Sequence, residues 1–128
     1  MLLTLCFVLA AEQCDDPSNY DKREDLPRIV IGCWQLLERT NDRSAAVTTL
    51  KAYTAASFTA FDTADIYGES ESILGRLRSE LSADNTAVVP KFFTKYVTQD
   101  ATEEQARRVN AQSRNALGAV PDIVQFHW

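Results

Sequence analysis

The chain has 128 residues, 45% hydrophobic and 24% charged, which suits one globular domain and argues against a disordered protein. Its 18 acidic and 13 basic residues give a net charge of −5, and Lys and Arg form no run longer than two. Such a surface does not neutralise a phosphate backbone, so the composition argues against a nucleic-acid partner.

The first 27 residues are predicted to precede the folded domain, which we assign to residues 28–128. Residues 2–11 are apolar, but about ten residues cannot span a bilayer as a helix, and no Lys or Arg precedes them. Residues 12–26 are polar and turn-forming, as in a linker. These features favour a cytoplasmic protein without a membrane span. A leader in residues 2–11, and hence a secreted or organellar protein, is the alternative.

From residue 28 onward, short apolar runs alternate with segments of helical periodicity, a pattern typical of βα units around a parallel sheet. The predicted strands are residues 29–34, 58–61, 92–94 and 123–126. Cys33 lies in the first apolar run, where a free cysteine usually packs as a small hydrophobic residue. The three cysteines, at positions 6, 14 and 33, indicate neither a disulfide framework nor a metal site.

Three helices are predicted between the strands, over residues 43–57, 69–81 and 102–117. Asn41 or Asp42 is expected to cap the first helix and Ser70 the second. Thr102 opens the third with a capping box, and Gly118 ends it.

We predict an α/β fold made of the first four βα units of a (β/α)8 TIM barrel, which is an incomplete barrel. An open doubly wound sheet is the alternative, because it also alternates strands and helices. Residues 32–36 lack the glycine-rich dinucleotide-binding turn of that fold, so the barrel is favoured.

Chemically reactive side chains follow three of the predicted strands: Asp62 and Tyr67, then Lys95, then His127. Strand ends about thirty residues apart converge on the carboxyl face of a closed parallel barrel, where active sites lie. Singly, each of these residues is more typical of a turn, a packing contact or a structural histidine. Together, they predict a catalytic site.

Four segments resemble the N-terminal half of the aldo-keto reductases, nicotinamide-dependent carbonyl reductases with a (β/α)8 barrel. The segments are residues 31–36 (IGCWQL), 61–68 (FDTADIYG), 94–95 (TK) and 122–128 (DIVQFHW), within a resemblance that spans residues 28–128. It implies NADP(H) or NAD(H) as cofactor and a small aldehyde, ketone or sugar as substrate.

The resemblance implies an Asp62, Tyr67, Lys95 and His127 tetrad. A carbonyl that accepts hydride develops negative charge on its oxygen and needs a proton donor, here Tyr67. An ammonium at Lys95, held by Asp62, favours the phenolate of a neighbouring phenol. His127 orients the carbonyl or assists the proton step.

The resemblance also implies the binding residues: Gly32, Cys33 and Asp62 for the cofactor, and Trp34, Tyr67 and His127 for the substrate. Asp65, in the loop, and Lys91, near the start of the third strand, are not assigned to the site. Ser57 stands where the family commonly has glycine, at a cost of about 1 kcal/mol if that residue is left-handed.

We therefore expect an NAD(P)H-dependent reductase of aldehydes or ketones, or an enzyme running the reverse oxidation, with this chain a fragment of it. In the family the later strands supply most cofactor contacts, so the chain alone is expected to be inactive. The alternative is a non-catalytic half-barrel that acts as a binding or regulatory subunit. Open sheet edges would then favour self-association.

Overall fold

The computed structural model describes residues 27–37, 41–97 and 102–126. These ranges contain four strands and three helices, in the order β1 (Ile31–Gly32), α1 (Arg43–Ala55), β2 (Ala60–Asp62), α2 (Ser70–Ala83), β3 (Lys91–Tyr96), α3 (Glu103–Leu117) and β4 (Ile123–Phe126). The predicted leader and linker, and His127, lie outside the described residues.

The four strands form one sheet in the order β1-β2-β3-β4, and every neighbouring pair is parallel. Each connection between parallel neighbours contains a helix, as a βαβ crossover requires. The predicted alternation of strands and helices is therefore confirmed.

The hydrophobic core lies between the sheet and the helices. Phe61 of β2 and Phe92 of β3 are register partners and are almost completely buried. They pack with the apolar stripes of α1 and α2, and the cluster as a whole is Cys33, Ala46, Val47, Leu50, Phe61, Ile73, Leu74, Leu77, Leu81, Phe92 and Leu117. Because side chains alternate along a strand, Phe93 and Lys95 lie on the other side of the sheet, which is only partly buried.

Two of the three predicted caps are confirmed, and one is wrong. Asp42 accepts hydrogen bonds from the backbone at the start of α1, and Thr102 accepts one from Gln105 N at the start of α3. Ser70 is not a cap: α2 begins at Ser70 after Glu69, and the Ser70 hydroxyl is buried and accepts a hydrogen bond from Thr63. The Ser70 hydroxyl therefore bonds to a residue of the preceding loop instead of capping the backbone of its own helix.

The end of α1 explains why β2 begins two residues later than predicted. The helix ends at Ala55 instead of Ser57, and Ser57 has a left-handed φ of 71°. The backbone N–H of Phe58 donates to Tyr53 O, so Phe58 still belongs to the helix end. Ser57 is thus left-handed without being glycine, which is the condition under which a cost of about 1 kcal/mol is expected. Gly118 ends α3 as predicted, and it too is left-handed.

The other strands differ in length from the prediction. β1 is limited to Ile31–Gly32, whereas β3 extends over Lys91–Tyr96 because it pairs on both sides, with β2 and with β4. β4 has the predicted bounds. None of the described helices combines the length and the apolar composition needed to cross a bilayer.

Helices α2 and α3 approach closely at Gly75. A Cβ atom at this position would overlap the carbonyl oxygen of Ala116 in α3. Arg78, one turn further along α2, donates to Gly118 O at 2.5 Å. The contact therefore requires glycine, and it holds α3 against α2.

Candidate active site

An ion pair lies at the carboxyl edge of the sheet. Asp62 is the last residue of β2, Lys95 is the penultimate residue of β3, and the Lys95 ammonium donates to Asp62 Oδ1. The pairing of Asp62 with Phe93 puts both charged residues on the side of the sheet away from the core. The side chain of Lys95 is 19% exposed and that of Asp62 is 29% exposed, so the ion pair is partly desolvated but still accessible to solvent.

Tyr67 lies beside this pair. The chain turns after β2, with Tyr67 N donating to Ala64 O at 3.1 Å and Ser70 N donating to Tyr67 O at 3.1 Å. This turn brings the phenol ring to 6.0 Å from Lys95 Nζ, measured to the ring centroid. The structure thus brings together an acid, an amine and a phenol that lie up to 33 residues apart in the chain.

Trp34 lies at the same edge, in the turn that follows β1. Its side chain is 65% exposed, and its ring centroid is 6.3 Å from that of Tyr67. Trp34 is therefore not a core residue. Gly32, the register partner of Asp62, is also exposed, so the end of β1 is open beside the ion pair.

Cys33 points the other way, into the core. It is fully buried, and burial, reinforced by the charge of Asp62, raises the pKa of its thiol to about 12. The prediction that Cys33 packs as a small buried residue is confirmed. Its backbone N–H donates to Asp62 O at 2.9 Å, which ties the end of β1 to the acid. A cofactor contact from Cys33 stays a prediction, as does the role of His127 outside the described ranges.

A second polar cluster, missed by the sequence reasoning, lies behind β3. Glu71 is 8% exposed, and its two carboxylate oxygens accept hydrogen bonds from Thr94 Oγ1 at 2.7 Å and Ser113 Oγ at 3.0 Å. Tyr96 donates to Asn110 Oδ1 at 3.0 Å, and burial raises the pKa of its phenol. The signal in the sequence was hydroxyl residues, Thr94 and Ser113, at positions facing the core.

Asp65 and Lys91, which the sequence left outside the site, have backbone roles. Lys91 begins β3, and its N–H donates to Thr59 O at the opposite end of the strand from Lys95. The Asp65 carboxylate accepts from Val97 N, at 3.2 and 3.3 Å for its two oxygens.

The fold and this edge define an α/β protein with reactive side chains at the carboxyl ends of parallel strands. The family model described as "Aldo/keto reductase family" matches residues 28–128, and the chain belongs to that family. The predicted resemblance is thereby confirmed. No protein with a curated description matched the sequence significantly.

Two solved structures show the same fold. One is a thermostable aldo-keto reductase in complex with the inhibitor epalrestat, with a TM-score of 0.68 and 18% identity. The other is an aldo-keto reductase from Bombyx mori in complex with NADP, with a TM-score of 0.69 and 19% identity. Each comparison covers 80% of this chain, but the chain spans only 39% and 34% of those proteins. The described strands and helices therefore have the fold of part of the barrel of those proteins.

Proposed function

We propose that this edge of the sheet is the acid–base centre of a nicotinamide-dependent carbonyl reductase. The observation that carries the proposal is the Lys95 ammonium, bound to Asp62 and 6.0 Å from the centroid of the Tyr67 ring. Each partner alone has an ordinary structural use. An ion pair next to a phenol, at the carboxyl edge of parallel strands, has the parts required for proton transfer.

Tyr67 is the proposed proton donor. As hydride adds to the carbonyl carbon, negative charge grows on the oxygen, and the phenol hydroxyl donates its proton to that oxygen to give the alcohol. The Lys95 ammonium stabilises the phenolate that this transfer leaves behind. Asp62 keeps the amine in place and charged, and its partial burial strengthens the attraction between the two.

The residues at the edge suit a nicotinamide nucleotide. The exposed Trp34 ring provides a flat apolar surface, Gly32 leaves the end of β1 open, and Asp62 provides a hydrogen-bond acceptor. We assign cofactor binding to Gly32, Cys33 and Asp62. The family and the NADP-bound Bombyx mori relative support the choice of a nicotinamide cofactor. When bound, the reduced cofactor supplies the hydride.

The substrate assigned to this site is a small aldehyde or ketone, or a sugar in the reverse reaction. Trp34 and Tyr67 form one wall of its pocket, and we place the carbonyl oxygen next to the Tyr67 hydroxyl. His127 remains the proposed residue that orients the carbonyl from the end of β4.

The test is carried out on the native protein, because this chain spans 34–39% of its two structural relatives. The protein is isolated with an antibody against residues 62–67, and its intact mass is compared with 14.3 kDa. NADPH oxidation is then followed with a panel of carbonyls for the wild type, Tyr67→Phe and the control Tyr53→Phe. Tyr53 is an exposed phenol on α1, so its change leaves the sheet edge intact.

We expect Tyr67→Phe to lower kcat by about 100-fold or more, since general acid catalysis contributes that much. Tyr53→Phe should retain wild-type activity. A Tyr67→Phe protein as active as wild type would refute the assigned donor. A native mass of 14.3 kDa without NADPH-dependent reduction would instead support a binding subunit, with the exposed Val124 and Phe126 of β4 open to a partner.

A further inference from the structure

The backbone pairing between β2 and β3 continues past the end of β2. Thr63 N donates to Phe93 O at 2.8 Å, Lys95 N donates to Thr63 O at 3.1 Å, and Asp65 N donates to Lys95 O at 3.0 Å. This is the alternation of donor and acceptor that a parallel ladder requires. Its next rung would join Val97 N to the backbone carbonyl of Asp65.

That rung is made by a side chain. Val97 N donates to the carboxylate of Asp65, at 3.2 Å to Oδ1 and 3.3 Å to Oδ2. Because the carboxylate of Asp65 takes the place of its backbone carbonyl as the acceptor for Val97 N, the backbone at Asp65 does not have to stay extended. The chain turns at this point, and Tyr67 N closes the turn on Ala64 O at 3.1 Å.

We propose that Asp65 is a positioning residue that sets the distance between Tyr67 and Lys95. Its backbone N–H binds Lys95 O and its carboxylate binds Val97 N, so it holds β3 at the residue that carries the amine and again two residues further along the chain. Two residues later the same turn carries the phenol. Asp65 thus joins the segment that carries the donor to the strand that carries the ammonium, and it contacts neither reacting group through its carboxylate in this role.

Other bonds hold the remainder of this segment but do not replace that link. Thr63 and Ser70 are joined by their hydroxyls at 2.9 Å, which anchors the segment to the start of α2. This bond lies on the helix side of the sheet and does not involve β3, so it does not fix the position of the turn relative to that strand. Without an acceptor at position 65, Val97 N loses its partner and the turn can move relative to Lys95.

The inference rests on the proposed function, and its test compares four proteins at their native length: wild type, Asp65→Ala, Asp65→Asn and Asp122→Ala. Asn keeps an oxygen that can accept from Val97 N but carries no charge. Asp122 is the matched control, because its carboxylate accepts from Phe92 N at 2.8 Å, near the opposite end of the same strand. For each protein, kcat and KM are measured together with the free energy of unfolding.

We expect Asp65→Ala to lower kcat by about 10- to 100-fold, the size of effect that a misplacement of about 1 Å produces. The KM for the carbonyl should change little. Asp65→Asn should restore kcat to within about threefold of wild type, since the lost charge affects only the strength of one hydrogen bond. Asp122→Ala should lose stability as Asp65→Ala does, but keep its kcat.

Equal loss of kcat in Asp65→Ala and Asp122→Ala would overturn the inference, because the effect would then be general to β3. Failure of Asp65→Asn to restore kcat would also overturn it and indicate a role for the charge. Should Asp65→Ala not fold, Asp65→Leu keeps the side-chain size without an acceptor and serves in the same comparison.

A structural measurement separates this inference from the proposed function. Amide hydrogen exchange at Val97 and the proximity of the Tyr67 ring to Lys95, both measured by NMR, report the geometry without any reaction. If Tyr67→Phe shows no catalytic defect but Asp65→Ala speeds Val97 exchange and separates the ring from the amine, the proposed function fails and the positioning role stands. Unchanged exchange and proximity would refute the positioning role whatever the activity.

Discussion

The two faces of β3 carry polar side chains that differ in exposure and in charge pairing. On one face, Lys95 pairs with Asp62 in a partly exposed site beside an aromatic turn. On the other, Thr94 and the buried Glu71 form a cluster that no basic side chain joins through a described hydrogen bond. Adjacent residues of one strand therefore lie in two different environments.

The difference shows how environment sets the use of a carboxylate. Asp62 retains contact with solvent and is held by an ammonium. Glu71 has both oxygens occupied by hydroxyl donors from β3 and α3, which joins three elements inside the protein. The first arrangement suits chemistry, and the second suits packing. Four predictions follow this contrast, from the largest expected effect on stability to the smallest.

Gly75→Ala should destabilise the helix-packed face most. The new methyl group overlaps the Ala116 carbonyl, and overpacking a tight contact costs about 3 kcal/mol or more when backbone must move. Urea unfolding of the native protein measures the loss. Gly32→Ala is the control, because a Cβ there meets no atom within 4 Å. A loss below about 1 kcal/mol for Gly75→Ala would show that α3 shifts freely, contrary to the close packing.

Glu71→Leu should cost about 2 kcal/mol, since it leaves two buried hydroxyls without their acceptor. Glu69→Leu, two residues earlier, is the matched control because its side chain is 44% exposed. Equal unfolding free energies for the two variants would refute a structural role for the buried cluster. The kcat of the folded Glu71→Leu protein should remain closer to wild type than that of any variant of the ion pair.

Lys95→Met should show the reverse pattern. Reductase activity should fall by about 100-fold or more, as expected for a group that supports proton transfer. The free energy of unfolding should change by only about 1 kcal/mol, because the pair with Asp62 is partly solvated. Both quantities are measured on one preparation, with Lys91→Met as the control at the other end of β3. A large loss of stability with unchanged activity would show that Lys95 has a structural role and not a catalytic one.

The smallest effect concerns acid pH and the exposed pair of Glu69 and Arg43. The hydrogen bond from Arg43 holds the pKa of Glu69 below its ordinary value of 4.5. A lowered carboxyl pKa in the folded state adds stability above that ordinary value, and this stability is lost as pH falls through the lower folded value. Melting temperatures measured from pH 6 to pH 3 should therefore fall slightly more for wild type than for Arg43→Gln. Parallel curves would show that the pair contributes nothing, as many surface ion pairs do.

Local patterns predicted most of the fold. The helices lie within about two residues of their predicted bounds, β4 agrees at both ends, and Gly118 ends α3 as predicted. The misses are tertiary. Ser70 could have capped α2 if only neighbouring residues mattered, but in the folded protein its hydroxyl accepts a hydrogen bond from the Thr63 hydroxyl. β3 extends to Tyr96 because it has neighbours on both sides, which its own residues do not reveal.

The sequence by itself determined the order of strands and helices, the membership of the family, and the position of Asp62, Tyr67 and Lys95 at or near the carboxyl ends of strands. These features depend on apolar periodicity and on short motifs, and both are local. Only the tertiary structure decided that Glu71 is buried and that Asp65 completes a rung of the sheet. The reason is physical: Glu71 finds its partners 23 and 42 residues away, and Asp65 finds Val97 32 residues away, so hydrogen bonds formed by folding set their roles.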